Sequence, residues 1–509
     1  GALVMNITKL TETESSHVQS SPGLSSYLHS LTRNKATTPR SWLFEESSPE
    51  DILKSWLSTL ETQLRRAKYG EQVLQFEAAQ LSKFGPQGGH PPTDEVLEDK
   101  VLPSFSNLGT QSAFKTAAWR AAKRNATKAL MRAGVRNLRP ASYASVAAKM
   151  HDDGKLYTNS GWPAFSRRVL RHVKREAVRD ATTGQFKRYP AILLWRYYNG
   201  KLRPVWMFPF STNVVESSFT SVLQEALERG NDQLGKFFSP WEGFESVKQL
   251  VTQQYSLGKF LYASDFSDTD AHFKEATSKE AFDVIAPCFQ PAFRDALWDS
   301  ISHMHNIPVL TGPDQKVTGS HGVASGSAWT NLIETIFDFI LSEYVRILTK
   351  GKMRGLYAIG DDMTWVTDSY WSGANEFLAQ VGESVGQIIK AEKVTVEANW
   401  LKSLQRLFIR GWNSVYHQDE LRGVYSTIRA LKSLLYPERF HSPKEWDKDA
   451  FAIRAFQILE NCYDHPMFEE FVKFVLNGHP HLRAFAKQSS KQIESAVKKH
   501  STLNLNPTD

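Results

Sequence analysis

Two groups of aspartates carry the chemistry this sequence can perform. The first is Gly360-Asp361-Asp362, set in Leu356-Tyr357-Ala358-Ile359-Gly360-Asp361-Asp362-Met363-Thr364-Trp365-Val366-Thr367. Apolar, β-prone residues flank a tight connection, which predicts a β-hairpin with two carboxylates side by side at its tip. Hard divalent cations take oxygen ligands, and two such ions about 3.5–4 Å apart catalyse in-line phosphoryl transfer. Alone, an acidic hairpin tip also reads as a solvated turn. The second group lies upstream in Leu261-Tyr262-Ala263-Ser264-Asp265-Phe266-Ser267-Asp268-Thr269-Asp270. A short strand delivers Asp265 at its end, and Asp270 follows in a turn leading into a helix. A helix N-cap accounts for Asp268 or Asp270. It does not account for all three acids with the hairpin downstream. One short segment cannot surround an ion octahedrally, whereas Asp265 and Asp361 on adjacent strands can share one.

Other elements must bring substrate to these carboxylates. Gly319-Ser320-His321-Gly322-Val323-Ala324-Ser325-Gly326-Ser327-Ala328-Trp329-Thr330-Asn331-Leu332-Ile333-Glu334 starts as a Gly/Ser loop. It continues as an apolar helix with Trp329, Leu332, Ile333, Ile336, Phe337 and Ile340 on one broad face. Such a loop is either an ordinary helix lead-in or a backbone that approaches a sugar-phosphate. Ala191–Tyr198, Asn199-Gly200 and Leu202–Phe208 read as strand, turn and strand. Lys201 and Arg203 then point to one face, either as an exposed basic edge or toward a phosphate.

In this order the segments resemble motifs A, B and C of viral RNA-dependent RNA polymerases. Motif A is similar to Asp265-x4-Asp270, motif B to Ser325-Gly326-x3-Thr330, and motif C to Gly360-Asp361-Asp362. Gly200-Lys201-Leu202-Arg203 resembles the end of motif F, Lys393 stands where motif D carries a lysine, and Phe408-Ile409-Arg410-Gly411 resembles motif E. The likeness spans about residues 160–415 and looks most like small double-stranded RNA viruses, picobirnavirus first and partitivirus next. It departs at Glu334, where the family often has Asn four residues after the motif B threonine. An ionised carboxylate accepts a hydrogen bond but cannot donate one.

The resemblance implies a mostly helical α+β fold, a right-hand polymerase with fingers, palm (antiparallel sheet plus helices) and thumb. Residues 1–110 are expected as an N-terminal extension bridging fingers and thumb, 111–255 as fingers with 275–315 inserted, 256–274 and 316–425 as palm, and 426–509 as thumb and tail. It implies two Mg²⁺ or Mn²⁺ ions on Asp265 and Asp361, with Asp362 a weaker ligand. Lys201 and Arg203 would neutralise the triphosphate, Asp270, Ser325, Gly326, Thr330 and Glu334 would line the nucleotide, and Lys393 would protonate pyrophosphate. Template RNA, nascent RNA and nucleoside triphosphates are the expected partners, with a viral capsid protein. The expected state is a monomer in the virion interior and the infected cytoplasm. Three rivals stay open: a reverse transcriptase, a two-metal nuclease or phosphatase, and a non-catalytic RNA-binding, capsid-associated protein.

Composition agrees with a large globular chain. It has 509 residues, 41% of them hydrophobic, and a net charge of +7, enough for about three domains or subdomains. The charge is uneven. Residues 101–150 hold nine Lys/Arg and no acid, and 165–203 hold eleven Lys/Arg against Glu176 and Asp180. These runs are interleaved with Trp119, Tyr189, Trp195, Tyr197 and Tyr198, as in a phosphate-lined channel. A solvated helix face is the alternative for the first run. Two cysteines, Cys288 and Cys462, argue against a disulfide scaffold or a zinc site. No apolar run of 18 residues predicts a membrane span. The periodicity predicts an irregular arm over 5–48, a helix over Glu50–Gln80, and a loop over 84–92. It also predicts helices over 112–138, 270–305, 327–349 and 374–390, and a wholly helical 430–500.

Overall fold

The structure, a computed structural model, describes residues 6–106, 111–152, 158–391, 399–439 and 447–488. The chain divides into two compact units. The first comprises residues 1–33, 92–194 and 204–403; the second comprises 34–91, 195–203 and 404–509.

The first unit is built on a four-stranded antiparallel sheet. Its strands run in the order Met353–Ile359, Asp362–Thr367, Phe260–Ser267, Ile388–Ala391. The hairpin expected at Gly360-Asp361-Asp362 is present, with one irregularity between Gly355 and Tyr357. The helix Thr330–Leu348 packs on this sheet, and Gly355 lets it come close. A Cβ there would stand 2.8 Å from Ser342 Oγ, which instead accepts the Gly355 N–H at 2.8 Å. Behind it lies the helix Ala117–Arg132, whose Trp119 ring meets Phe337 at 5.6 Å and Tyr344 at 5.1 Å. This helix falls within the basic stretch, and its Lys123 is already paired with Glu280 and Asp283. Ile7–Lys9, Gln315–Val317 and Val309–Leu310 form a mixed sheet with the start of the strand Ala191–Tyr198, Ala191 and Val309 being parallel partners.

The second unit contains the helices Pro49–Leu64, Gly70–Ala78, Thr427–Leu435, Lys448–Glu460, Phe468–Leu476 and Pro480–Ala486, and buried Trp56 of the first of these joins two others. That ring contacts Phe471 and Phe474 at 4.9 and 5.3 Å, while its Nε1 donates to Thr427 Oγ1 at 2.8 Å.

Four expectations need correction. Residues 5–48 are not irregular throughout: Ile7–Lys9 is a strand, and Glu12–Ser20 and Pro22–Ser30 are helices. Thr11 and Glu14 close a reciprocal capping box, and a proline opens the second helix. The 50–80 helix is two helices, parted where Tyr69 adopts a φ of 62° and Gly70 fits against Leu64 O. The 374–390 helix stops at Ser384; Gly386, at φ 79°, turns the chain, and Ile388–Ala391 becomes the edge strand beside Asp265. The described part of 430–500 is a set of short helices rather than one helical run.

Candidate active site

The sheet register places the carboxylates. Asp265 lies two residues before the end of its strand, and its cross-strand partner is Asp362, the first residue of the returning strand. Asp361 occupies the turn, where its carbonyl accepts the Phe266 N–H at 3.1 Å. Directly paired residues project to the same face, so Asp265 and Asp362 stand side by side with Asp361 adjoining. The pairing partner of Asp265 is therefore Asp362, the acid ranked lower from sequence. Gly360 sits at φ 56° and donates its N–H to Thr335 Oγ1 at 2.8 Å, which ties the turn to the helix beneath. The other neighbour of Asp265 is Lys390, exposed on the edge strand. Desolvation first, then the charges of Asp361 and Asp265, push the Asp362 carboxyl up to about 7, although the residue as a whole is exposed.

Two further acids lie beneath the turn, four residues apart on the Thr330–Leu348 helix. Burial, then Asp361, Asp270 and Asp362, hold the Glu334 carboxyl well above its usual range. Asp338 is fully buried, and burial followed by Glu334, Asp361 and Asp362 raises it likewise. Neither Asp338 oxygen has a hydrogen-bond partner among the described residues. Asp338 was not singled out from sequence, because one acid inside an apolar face does not disturb the periodicity.

The Gly/Ser loop is fastened at both ends. A Cβ on Gly322 would stand 1.7 Å from Asp270 O, and one on Gly326 would stand 1.6 Å from Trp206 O. The Asp270 carbonyl also accepts Ser104 Oγ at 2.9 Å, and Ser104 O accepts the Gly322 N–H at 3.0 Å. Asp270 and the start of the loop are thus held as one piece. Thr330 Oγ1 donates to Ala324 O, so that hydroxyl braces the loop. Ser325 is exposed.

At the other end, buried Glu216 accepts Ser327 Oγ, the Ala328 N–H at 3.0 Å and Asn213 Nδ2 at 2.9 Å. Asn213 Nδ2 also donates to Gly326 O at 3.1 Å, and Asn213 Oδ1 accepts Arg168 Nη2 at 2.7 Å. Burial pushes Glu216 up to about 7, against the downward pull of these bonds and of Arg168. Sequence reasoning missed this anchor, since nothing local links residue 216 to residue 327. It also passed over Asn331, an exposed amide beside the Gly360 turn. Asn331 Oδ1 accepts Trp241 Nε1 at 3.1 Å, and its Nδ2 lies 3.1 Å from a Cβ placed on Gly360.

Of the expected site residues, the first unit therefore holds Asp265, Asp270, Ser325, Gly326, Thr330, Glu334, Asp361 and Asp362. Lys201 and Arg203 belong to the second unit, at the start of the basic strand. Asn199 and Gly200 turn that hairpin at φ 53° and 71°, and the Arg203 guanidinium lies 4.7 Å from the centre of the Tyr198 ring. Lys393 lies outside the described residues.

Divalent ions fit these residues in one manner. Among the described residues no three acidic, histidine or cysteine side chains converge tightly enough to enclose an ion by themselves. Magnesium commonly binds one or two carboxylates and completes its shell with water and substrate phosphate oxygens. Crowded carboxylates with Asp362 raised to about 7 are the donor set such an ion would relieve.

The family model described as viral RNA-dependent RNA polymerase matches residues 198–399. A curated relative, the potential RNA-dependent RNA polymerase of Human picobirnavirus (strain Human/Thailand/Hy005102/-), is 27% identical over 488 residues, covering 90% of this chain and 85% of the relative. The RNA-directed RNA polymerase of Cryptosporidium parvum virus 1 (strain KSU-1) is 22% identical over 180 residues, 35% of this chain and 32% of that protein. In fold, the chain is similar to the crystal structure of a human picobirnavirus RNA-dependent RNA polymerase. The TM-score is 0.79 at 23% identity, over 97% of this chain and 94% of that one. An insertion-loop deletion mutant of that enzyme gives 0.80 at 23% identity, over 98% and 99%.

Proposed function

We infer that this chain is a viral RNA-dependent RNA polymerase of the picobirnavirus type, a nucleotidyltransferase that copies an RNA template from ribonucleoside triphosphates. The observation that carries this reading is the cross-strand pairing of Asp265 with Asp362 beside the Gly360-Asp361 turn. Members of this family work with divalent metal ions. Asp265, Asp361 and Asp362 would hold two Mg²⁺ or Mn²⁺, which when bound lower the pKa of the primer 3′-hydroxyl and stabilise charge on the phosphates. The 3′-hydroxyl releases its proton to solvent as its oxygen bonds to the α-phosphorus, the bond from the α-phosphorus to the oxygen bridging the β-phosphate breaks, and pyrophosphate leaves.

The chain's own groups do the rest. Asp265 and Asp362 fix the position of attack because their strands are locked in register. Asp270 and Ser325 contact the ribose, and Thr330 and Glu216 keep the loop that carries Ser325 in shape. Lys201 and Arg203 act on the triphosphate. Lys390, cross-strand from Asp265, joins Lys393 as a donor of the proton that pyrophosphate takes up. We further place the protein as a monomer inside a capsid, in contact with a capsid protein, and in the cytoplasm during infection. Among the described residues no helix is long and apolar enough to cross a membrane.

The test is incorporation of labelled nucleotides on a defined RNA template, with and without Mg²⁺ or Mn²⁺. Template-length RNA made from ribonucleotides only when the ion is present is the expected result. Preference for deoxynucleotides would make the protein a reverse transcriptase. Shortened template without extension would make it a nuclease, and RNA binding with neither would remove the catalytic reading.

A further inference from the structure

Four cations of the second unit come together, and among the described residues no acid pairs with them. Lys83 ends a short turn after the Gly70–Ala78 helix, Arg203 lies on the basic strand, and Arg429 and Lys432 sit one turn apart on the Thr427–Leu435 helix. Lys83 packs against the Asn199-Gly200 turn: a Cβ built on Gly200 stands 3.7 Å from Lys83 Cα. Arg429 and Arg203 lie close enough to Lys83, and Arg429 and Lys83 close enough to Lys432, for each charge to disfavour protonation of the next. The neighbouring acid Glu438 is already taken by Arg196 in two 2.9 Å bonds. Among the described residues none of the four cations has an ion-pair partner within 4 Å.

Lys432 makes the cluster more than a basic surface. It is 2% exposed, and its Nζ has no hydrogen-bond acceptor among the described residues. Burial first, then Arg429 and Lys83, push its pKa down to about 7. Arg429, 6% exposed, donates Nε to the Tyr425 hydroxyl at 3.0 Å. Lys83 is exposed and Arg203 half-exposed, so the group is not sealed. A buried ammonium without acceptors is costly for a fold to keep. One ligand chemistry removes every part of that cost. A phosphoryl group brings several acceptor oxygens for Nζ, negative charge for all four cations, and a pair of oxygens that an arginine can grip bidentately.

We propose that Lys83, Arg203, Arg429 and Lys432 form a phosphate-binding site, which takes a phosphoryl group of a nucleoside triphosphate or of an RNA strand. The choice of these two sources rests on the polymerase reading; the site itself is a property of the second unit. It goes beyond Lys201 and Arg203 as triphosphate contacts by adding the buried lysine and the helix that carries it.

The test uses the full chain in EDTA, so that carboxylate-bound ions contribute nothing and a failure of the polymerase reading would not affect the outcome. Inorganic tripolyphosphate is titrated calorimetrically into wild type, Lys432→Met and Lys83→Ala. Binding is expected to weaken about tenfold or more in Lys432→Met and severalfold in Lys83→Ala. Lys432→Met is also expected to melt no lower than wild type when no polyanion is present, because it replaces an unpartnered buried charge with an apolar chain of similar length. Wild-type affinity in either variant overturns the proposal. Should Lys432→Met not fold, Lys83→Ala decides, since that side chain is exposed. ATP, and one short RNA bearing a 5′-hydroxyl, then separate the sources. Loss of ATP binding alone assigns the site to the nucleotide, and loss of binding of the 5′-hydroxyl RNA assigns it to the strand backbone.

Discussion

The carboxylates around the Gly360 turn and the cations around Lys432 pose one problem with opposite signs, and the chain solves it differently in each place. Six acids bear on one another in the first unit: Asp265, Asp270, Asp361, Asp362, Glu334 and Asp338. The two deepest are pushed toward the neutral form, so much of the repulsion is relieved by holding protons. An arginine cannot shed its proton in a protein. In the basic cluster only lysine can yield, and Lys432 is the group whose pKa falls to about 7. Where a site must hold like charges before its ligand arrives, a carboxylate pair can wait neutral, whereas an arginine-rich site stays charged.

The first way to break this comparison is to remove one acid. Asp361→Ala is expected to cut nucleotide incorporation by roughly a thousandfold or more, while template binding stays within a few-fold. Single-turnover extension and filter binding on the same RNA measure both. Retention of a tenth of wild-type extension at saturating Mg²⁺ would show that the turn does not carry the chemistry.

A smaller effect distinguishes acids that hold metal from one that reads substrate. Asp270→Ala should lower discrimination between ATP and dATP by about tenfold to a hundredfold, the value of one buried hydrogen bond. Glu334→Gln should change it much less. Ratios of kcat/KM on one template decide, and a larger loss in Glu334→Gln would reverse the assignment.

On the basic side, Arg203→Ala is expected to raise KM for nucleotide about tenfold, one charge-assisted contact, with little change in RNA affinity. Equal losses in both would make Arg203 a strand contact instead.

The smallest effect sharpens the point about stored protons. Asp338 has a folded pKa raised above the unfolded value of 3.8. The folded state therefore binds the proton more tightly, and the stability this gives is present below pH 4 and lost as pH rises toward the folded pKa. Asp338→Asn should remove that decline. Its melting temperature should gain on wild type with increasing pH, by about 1–2 kcal/mol of stability near neutrality. Parallel melting curves for the two proteins from pH 5 to 8 would show that Asp338 is not held neutral.

What could be read beforehand followed from local chemistry. Asn199-Gly200 announces a hairpin, Gly360-Asp361-Asp362 another, and Asp265 falls on the strand read for it, whereas Asp270 lies within the short helix Thr269–His272 rather than in the turn before it. The Thr11–Glu14 capping box is equally local, yet the Ser/Thr-rich composition around it masked two helices. Ile388–Ala391 was hidden because the apolar spacing of 374–384 runs on past the turn at Gly386. Other features needed the fold itself. Glu216 meets Ser327 across 111 positions, and nothing next to Lys432 in sequence marks it as buried. The burial of those charges is set by packing from elements far away in sequence.

Gly322 and Gly326 have a consequence for inhibition. Each lies so near a backbone carbonyl that any side chain, even a methyl, would collide with atoms that cannot rotate away. All nineteen alternatives to glycine bear that carbon, so no replacement at either position leaves the loop where it is. A small molecule that rests on the loop's main chain would press against ground that mutation cannot reshape without dismantling the enzyme. Those two residues are where resistance to such a molecule has least room to arise.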